Sequence, residues 1–321
     1  MPARHDIRAL TMGARFAQRC QRRSLARVLS VHNRVINLVT EDGLLALALP
    51  QAGGSSRFLC LNRLPELQSG EDLRLSPGEL GAGTLSIDLG GVALWQGLLP
   101  PRAHATLTPQ RFRDFAEAVA ILGIQQGRFR DGFCVPRSLT PSSPVAQLAG
   151  SLLGLGPGLT PAGDDILLGY LAVNNHLGDT TCLTRELHAA VADGLKRTTM
   201  LSTQLLRNAL EADYHETVQR VLAILLGLSP ENLLTALRRL AAVGASSGEA
   251  TIYGMWLALQ RVHRENAANT RSSFRQLQSE QSRSNNCRTV MYRNGPRPAT
   301  LKSATRDVAI QSFVNNSRAW R

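Results

Sequence analysis

Two stretches of this 321-residue chain repeat each other at a displacement of 85, and both sit at the start of an apolar segment. Gly163 to Gly169 reads GDDILLG and Gly248 to Gly254 reads GEATIYG. Each is preceded by a glycine-rich turn and, before that, by an apolar pattern of helical spacing. In the first unit the pattern is Val145, Leu148, Ala149, Leu152 and Leu153 after Ser143 and Pro144; in the second it is Leu233, Leu234, Leu237, Leu240 and Ala241 after Ser229 and Pro230. Serine as N-cap and proline at the first helical position form a start signal, because proline's missing donor has no partner there in any case. Gly154 and Gly244 stop the helices. The chain is thus expected to carry two helix–glycine loop–helix units, which places its second half among helical folds.

The first half has another period. RVINLVT and LLALALP flank EDG, while TLSIDL and VALWQGLL flank GG, which predicts two β-hairpins between about 26 and 98. From Pro109 the spacing turns helical, with Phe112, Phe115, Val119 and Leu122 on one face of 109–126, and helix is expected from there to 262. The fold class is α+β, an N-terminal β-rich subdomain followed by a mainly helical domain. The expected divisions are a basic N-terminal extension at 1–25, a β-rich subdomain at 26–108, a helical ligand-binding domain at 109–264, and a basic tail at 265–321. The tail, rich in Ser, Asn, Gln and Arg, has the composition of a disordered segment.

Net charge is +12, an invitation to think of nucleic acid. Its location argues otherwise. Residues 1–27 carry +6 and 263–321 carry +8, leaving the body at −2, and neither end interleaves aromatic residues in a stacking pattern. Non-specific electrostatic contact is all such ends support, so no specific nucleic-acid partner is expected. No apolar run is long enough for a bilayer and no signal-peptide core precedes the body, so the expectation is no membrane contact and a cytoplasmic location. The cysteines at 20, 60, 134, 182 and 287 are odd in number and lack CxxC spacing. They read as reduced thiols, Cys134 as a buried one.

The first loop, GLGPGLTPAGDDILLGY at 154–170, carries the chemistry. Gly156, Gly158 and Gly163 let backbone approach a ligand, and Thr160 with Pro161 looks like the N-cap and first residue of a helix whose free N–H groups attract an anion. Ser246, Ser247 and Gly248 are the counterparts in the second unit. The competing reading makes these glycines and prolines simple tight connections. Asp164 and Asp165 weigh against it, since adjacent helical residues point about 100° apart and one must face the loop or the interior. An inward carboxylate there would meet either a metal ion or N–H donors of a ligand. The loop lacks the Gly-Lys-Ser/Thr of a nucleotide-binding P-loop, and a helical pattern instead of a strand precedes it. Arg207, mid-helix among apolar residues, is a candidate for a carboxylate or phosphate or else a snorkelling surface side chain. His176, His188 and His215 have no metal-ligand partner three or four residues away and receive no role.

GLGPGLTPAGDDILLGY, GASSGEATIYGMWLAL and the upstream NRVINLVTEDG together resemble the H subunit family of oxamate carbamoyltransferase, over roughly 25–262. The resemblance implies a chain working with two partner subunits in anaerobic allantoin (purine nitrogen) degradation, where oxalurate and phosphate give oxamate and carbamoyl phosphate. It implies small anions as ligands, and Asp165, with Asp164, as the catalytic pair. Gly156, Gly158, Thr160, Gly163, Ser246, Ser247, Gly248 and Arg207 are then the anion-binding residues. The second unit departs from the family pattern, having Ala250 where that pattern has Asp, with Glu249 beside it. Two other functions fit the same residues: an enzyme acting on a phosphate or nucleotide ligand with Mg²⁺ on Asp164 and Asp165, no other cofactor being implied, and a non-catalytic scaffold subunit.

Overall fold

A computed structural model of the protein describes residues 7–100, 104–177 and 182–268; the tail expected at 265–321 lies outside the described residues from 269 onward. Among the described residues, the N-terminal part is one curled sheet of nine strands: β1 (Ala9–Gly13), β2 (Ser24–Val31), β3 (Val35–Thr40), β4 (Gly43–Ala48), β5 (Phe58–Leu61), β6 (Asp72–Ser76), β7 (Glu79–Ala82), β8 (Leu85–Asp88) and β9 (Ala93–Trp95). Their spatial order is β8-β7-β6-β2-β3-β4-β5-β1-β9. Alternation sets the register. Val28, Ile36, Leu38, Leu45, Leu47, Leu59, Leu61, Leu73 and Leu75 project to one core face, as period-two side chains must.

The EDG hairpin forms as expected, β3 pairing with β4 from Val35–Ala48 to Thr40–Gly43. The second does not. β8 pairs antiparallel with β7, whereas β9 crosses to the far edge and pairs parallel with β1. The glycine pair between β8 and β9 therefore sits in a short connection, residues 89–92, that leads out of the hairpin instead of closing one, a choice that local turn chemistry does not encode.

Of the extension expected at 1–25, the described part, 7–25, is built into the sheet instead. β1 lies between β5 and β9, and helix α1 (Ala14–Cys20) inserts Phe16 and Cys20 into the sheet's core. Burial pushes the Cys20 thiol up to about 11. Some of the arginines at this end are paired within the protein: Arg15 with Glu211 and Asp213, Arg19 with Glu41 and Asp42, and Arg27, in β2, with Asp72. Part of the apparent basic arm is thus a set of surface ion pairs.

Helices follow: α2 (Pro109–Ile121), α3 (Val145–Leu152), α4 (Ala162–Leu177), α5 (Cys182–Gly194), α6 (Met200–Leu210), α7 (Glu216–Leu226), α8 (Leu233–Ala241) and α9 (247–268). Between α2 and α3 the chain is not helical as expected; apart from a short turn at Ile124–Gln126 it is irregular, tied by an Arg128–Cys134 bridge and by packing of Phe129 against Phe133 and Tyr253. Cys134 in this segment is exposed, not buried. The helix starts also shift. Pro144 itself is the N-cap of α3, and Asn232, accepting from Thr235 N–H at 3.0 Å, caps α8. Ser229 instead accepts from Glu231 N–H, because a proline following a serine favours a turn as readily as a helix.

α4 is buried around nearly its whole circumference, from Ala162 through Leu177. Such a helix is the axis of its domain. It crosses α9 at the repeated glycines. A β-carbon on Gly169 would lie 1.9 Å from the Thr251 carbonyl oxygen, and one on Gly254 would lie 1.9 Å from that of Ile166. Gly169 and Gly254, like Ile166 and Thr251, are repeat equivalents, so the duplicated helices pack against each other with an approximate two-fold relation. The sheet joins this body through polar contacts: Gly54 N–H donates to Glu216 (2.7 Å), Leu44 N–H to Gln204 (3.2 Å) and Arg57 Nε to Asn208 (3.0 Å).

Candidate functional site

The repeat brings the starts of α4 and α9 together. Thr160 Oγ1 lies 2.9 Å from Ser247 Oγ, joining the two loops at the point where both helices begin. The backbone there is less open than expected. Gly163 N–H donates to Leu155 O at 2.8 Å and Gly248 N–H to Val243 O at 3.0 Å, so in each unit a loop carbonyl folds back onto a first-turn donor. Their glycine character serves packing: an added β-carbon would meet Leu152 O at 2.0 Å from Gly163 and Leu240 O at 1.8 Å from Gly248. A helix N-terminus closed by its own loop has fewer donors left for an anion.

The two aspartates part ways. Asp164 Oδ1 accepts from Gly154 N–H at 2.8 Å and Oδ2 accepts from the Thr198 hydroxyl, so this side chain ties the loop to the turn before α6. Asp164→Ala is expected to cost about 2 to 3 kcal/mol by leaving those donors unpaired. Urea unfolding measures this; an unchanged midpoint with lost turnover would return Asp164 to a chemical role.

Asp165 is buried, and its Oδ2 has no hydrogen-bond partner. Burial raises its carboxyl well above the ordinary aspartate value, and the charge of Asp164 adds to the effect; the hydroxyls of Ser247 and Thr160 oppose it without prevailing. The folded state therefore holds the proton more tightly than the unfolded chain does. Stability should fall as pH rises above the ordinary aspartate pKa, until the folded-state pKa is passed. Asp165→Asn should remove this dependence and be more stable than the parent chain at neutral pH. Parallel slopes for both proteins in unfolding free energy against pH would mean that the carboxyl ionises normally.

Asp165, Thr160, Ser247, Gly248 and Thr251 line one wall of a cavity of about 760 Å³. Other walls come from 239–244, from Tyr214 to Arg220, and from the sheet through Arg34, Pro50 to Gly53, Ser55 and Phe58. Gly156, Gly158, Gly163, Asp164, Ser246 and Arg207 are not among the described residues lining it. Gly158 has open space around its position and Arg207 is exposed on α6. Ser246 donates to Asp131 at 2.6 Å, helping to hold that carboxyl below its usual range, and Glu249 pairs with Arg130. Ala250, at the position where the family pattern has an acid, is fully buried.

The sequence offered no signal for His215, which nonetheless lines the cavity. Its Nδ1 accepts from Thr217 N–H at 3.3 Å as it caps α7, and burial holds the imidazole below its ordinary value. The sheet wall was equally silent, its one local mark being Gly53 and Gly54 after β4. Asp164 and Asp165 take different partners, and among the described residues no three His, Cys, Asp or Glu side chains gather to hold an ion. No helix among the described residues is long and apolar enough to cross a membrane.

Residues 152–259 match the family model described as oxamate carbamoyltransferase subunit AllH. The matched span runs from the end of α3 into α9 and so includes both loop–helix units and excludes the entire sheet. A subunit of that enzyme implies other subunits beside it. No solved structure matches the chain.

Proposed function

We propose that the chain is the oxamate carbamoyltransferase subunit in whose cavity oxalurate meets phosphate, and that Asp165 handles the proton of the reaction. The observation that carries this reading is a buried carboxyl, raised in pKa and partnerless at Oδ2, between two hydroxyls on a cavity wall. Phosphate oxygen attacks the terminal carbamoyl carbon of oxalurate. The bond from that carbon to the inner nitrogen breaks, giving carbamoyl phosphate, and the departing nitrogen needs a proton to leave as the amide of oxamate. A protonated Asp165 supplies it and is reprotonated from the attacking phosphate, so the cycle balances without a redox partner. Neutrality also suits the ureido group, whose N–H donors can meet a carboxyl oxygen and the lone pairs of the Thr160 and Ser247 hydroxyls.

The location in a catalytic cavity, the two partner subunits and the place in anaerobic allantoin degradation belong to this proposal, as does a cytoplasmic setting. Metal-assisted action on a phosphate or nucleotide ligand is not favoured, because the two aspartates turn to separate partners. The test is phosphate-dependent formation of carbamoyl phosphate from oxalurate by the chain together with the subunits that co-purify with it. Oxalurate left intact by that assembly would overturn the proposal.

A further inference from the structure

We infer that Arg34, supplied by the sheet and outside the span matching the family model, takes the carboxylate of the ligand and orients its neutral amide end toward Asp165. The inference rests on reading the cavity as the oxalurate site. It begins from what the cavity lacks. The first-turn donors of Gly163 and Gly248, the natural anion receptors of the paired helices, are taken by Leu155 O and Val243 O. With those two donors taken, a ligand carboxylate gains a full positive partner from the arginines of the cavity.

Three arginines line the cavity. Arg220 pairs with Glu216 and Glu231, and Arg239 pairs with Glu231, so both are already neutralised. Arg34 forms no ion pair among the described residues. Its base is fixed all the same: its carbonyl accepts from Leu49 N–H at 2.9 Å, and the adjoining His32 N–H donates to Val35 O at 2.9 Å. This ties the β2–β3 turn to the Pro50–Gly53 wall of the cavity. An anchored backbone with an uncommitted guanidinium at a cavity edge suits a planar carboxylate, which it can hold through two parallel hydrogen bonds.

Arg34 and Asp165 line the same cavity and suit opposite ends of a ligand. Asp165 is buried, and burial favours its neutral form, so a charged group placed against it would be desolvated without compensation. Arg34 is exposed, so a carboxylate there keeps part of its hydration and gains a counter-charge. The matching class is a short acid with one carboxylate and a neutral urea or amide at its other end.

The experiment measures calorimetric affinity of the full chain, with its co-purifying subunits, for oxalurate and for oxaluramide, the neutral amide of the same skeleton. The parent protein should prefer oxalurate by about tenfold or more. Arg34→Gln should weaken oxalurate by roughly ten- to a hundredfold, leave oxaluramide within about twofold and abolish the preference; Arg34→Lys should recover part of it. Thermal midpoints should be unchanged, because the side chain is exposed and unpaired. Unaltered oxalurate affinity in Arg34→Gln, with the parent protein binding normally, overturns the role of Arg34 alone. Failure of the parent protein to bind either compound overturns the reading of the cavity itself and the role of Arg34 with it.

Discussion

Asp165→Asn should lower turnover of oxalurate by about 10²-fold or more, with affinity changed little. The amide has the size of the carboxyl and keeps hydrogen-bonding capacity toward Thr160 and Ser247, but it cannot deliver a proton to a departing nitrogen. The loss should therefore fall on kcat, with KM held within about threefold. The same substitution is expected to stabilise the fold at neutral pH, since it removes a group whose ionisation is opposed by burial. A variant both more stable and less active separates a chemical role from structural damage. Wild-type rates in the assembled enzyme would leave this chain as a binding or scaffold subunit.

Gly169→Val is the second large effect, and it is structural. Any β-carbon at this position would lie 1.9 Å from the carbonyl oxygen of Thr251 on α9, so the helices must part along their crossing. Because the obstacle is backbone, a cost of about 3 kcal/mol or more is expected, at the upper end for overpacking. Gly150→Ala on α3 is the control. Its β-carbon would meet nothing within 4 Å, and it should be neutral or stabilising by about 1 kcal/mol, as expected for Gly to Ala within a helix. Chemical denaturation of the two variants decides the matter; equal midpoints would mean that α4 and α9 do not cross through these glycines.

What could be read from the residues was whatever rested on local pattern. The EDG hairpin announces itself through alternation on both sides of a tight turn, and Phe115 and Val119 fall on the buried face of α2 as their spacing requires. The duplication was visible because the crossing helices keep small residues at equivalent places. The pairing of β9 with β1 was not visible, since it joins segments far apart in sequence that share no turn. Nor was the role of the N-terminal arginines. Arg15, Arg19 and Arg27 looked like solvated charge until Glu211, Asp213, Glu41, Asp42 and Asp72 came beside them in space.

At the site, adjacency required that at least one of Asp164 and Asp165 turn inward; both are buried, and which of them reaches the cavity was not legible. The expected anion cradle was a different matter. Free N–H groups at a helix start are a property of an isolated helix, and here Leu155 O and Val243 O return to occupy one of them in each. That closure depends on how each loop folds back, which glycine spacing permits but does not specify. The sheet's part in the cavity, Arg34 above all, comes mostly from the connections between strands, and the residue pattern of the flanking strands reports only their own pairing.

The crossing of α4 with α9 also bears on how the chain is made. α4 leaves the ribosome well before α9, yet the surface it buries at Gly169 is covered only when Thr251 and Met255 have been synthesised. During that interval a nearly all-apolar helix carries two carboxyl groups and a bare flank, with the sheet already able to pair. Folding of the helical half is thus governed by a contact late in translation, the kind of long-range closure that slows folding and leaves apolar surface open to aggregation. A nascent chain stalled before α9 should engage chaperones, while one released after it should not.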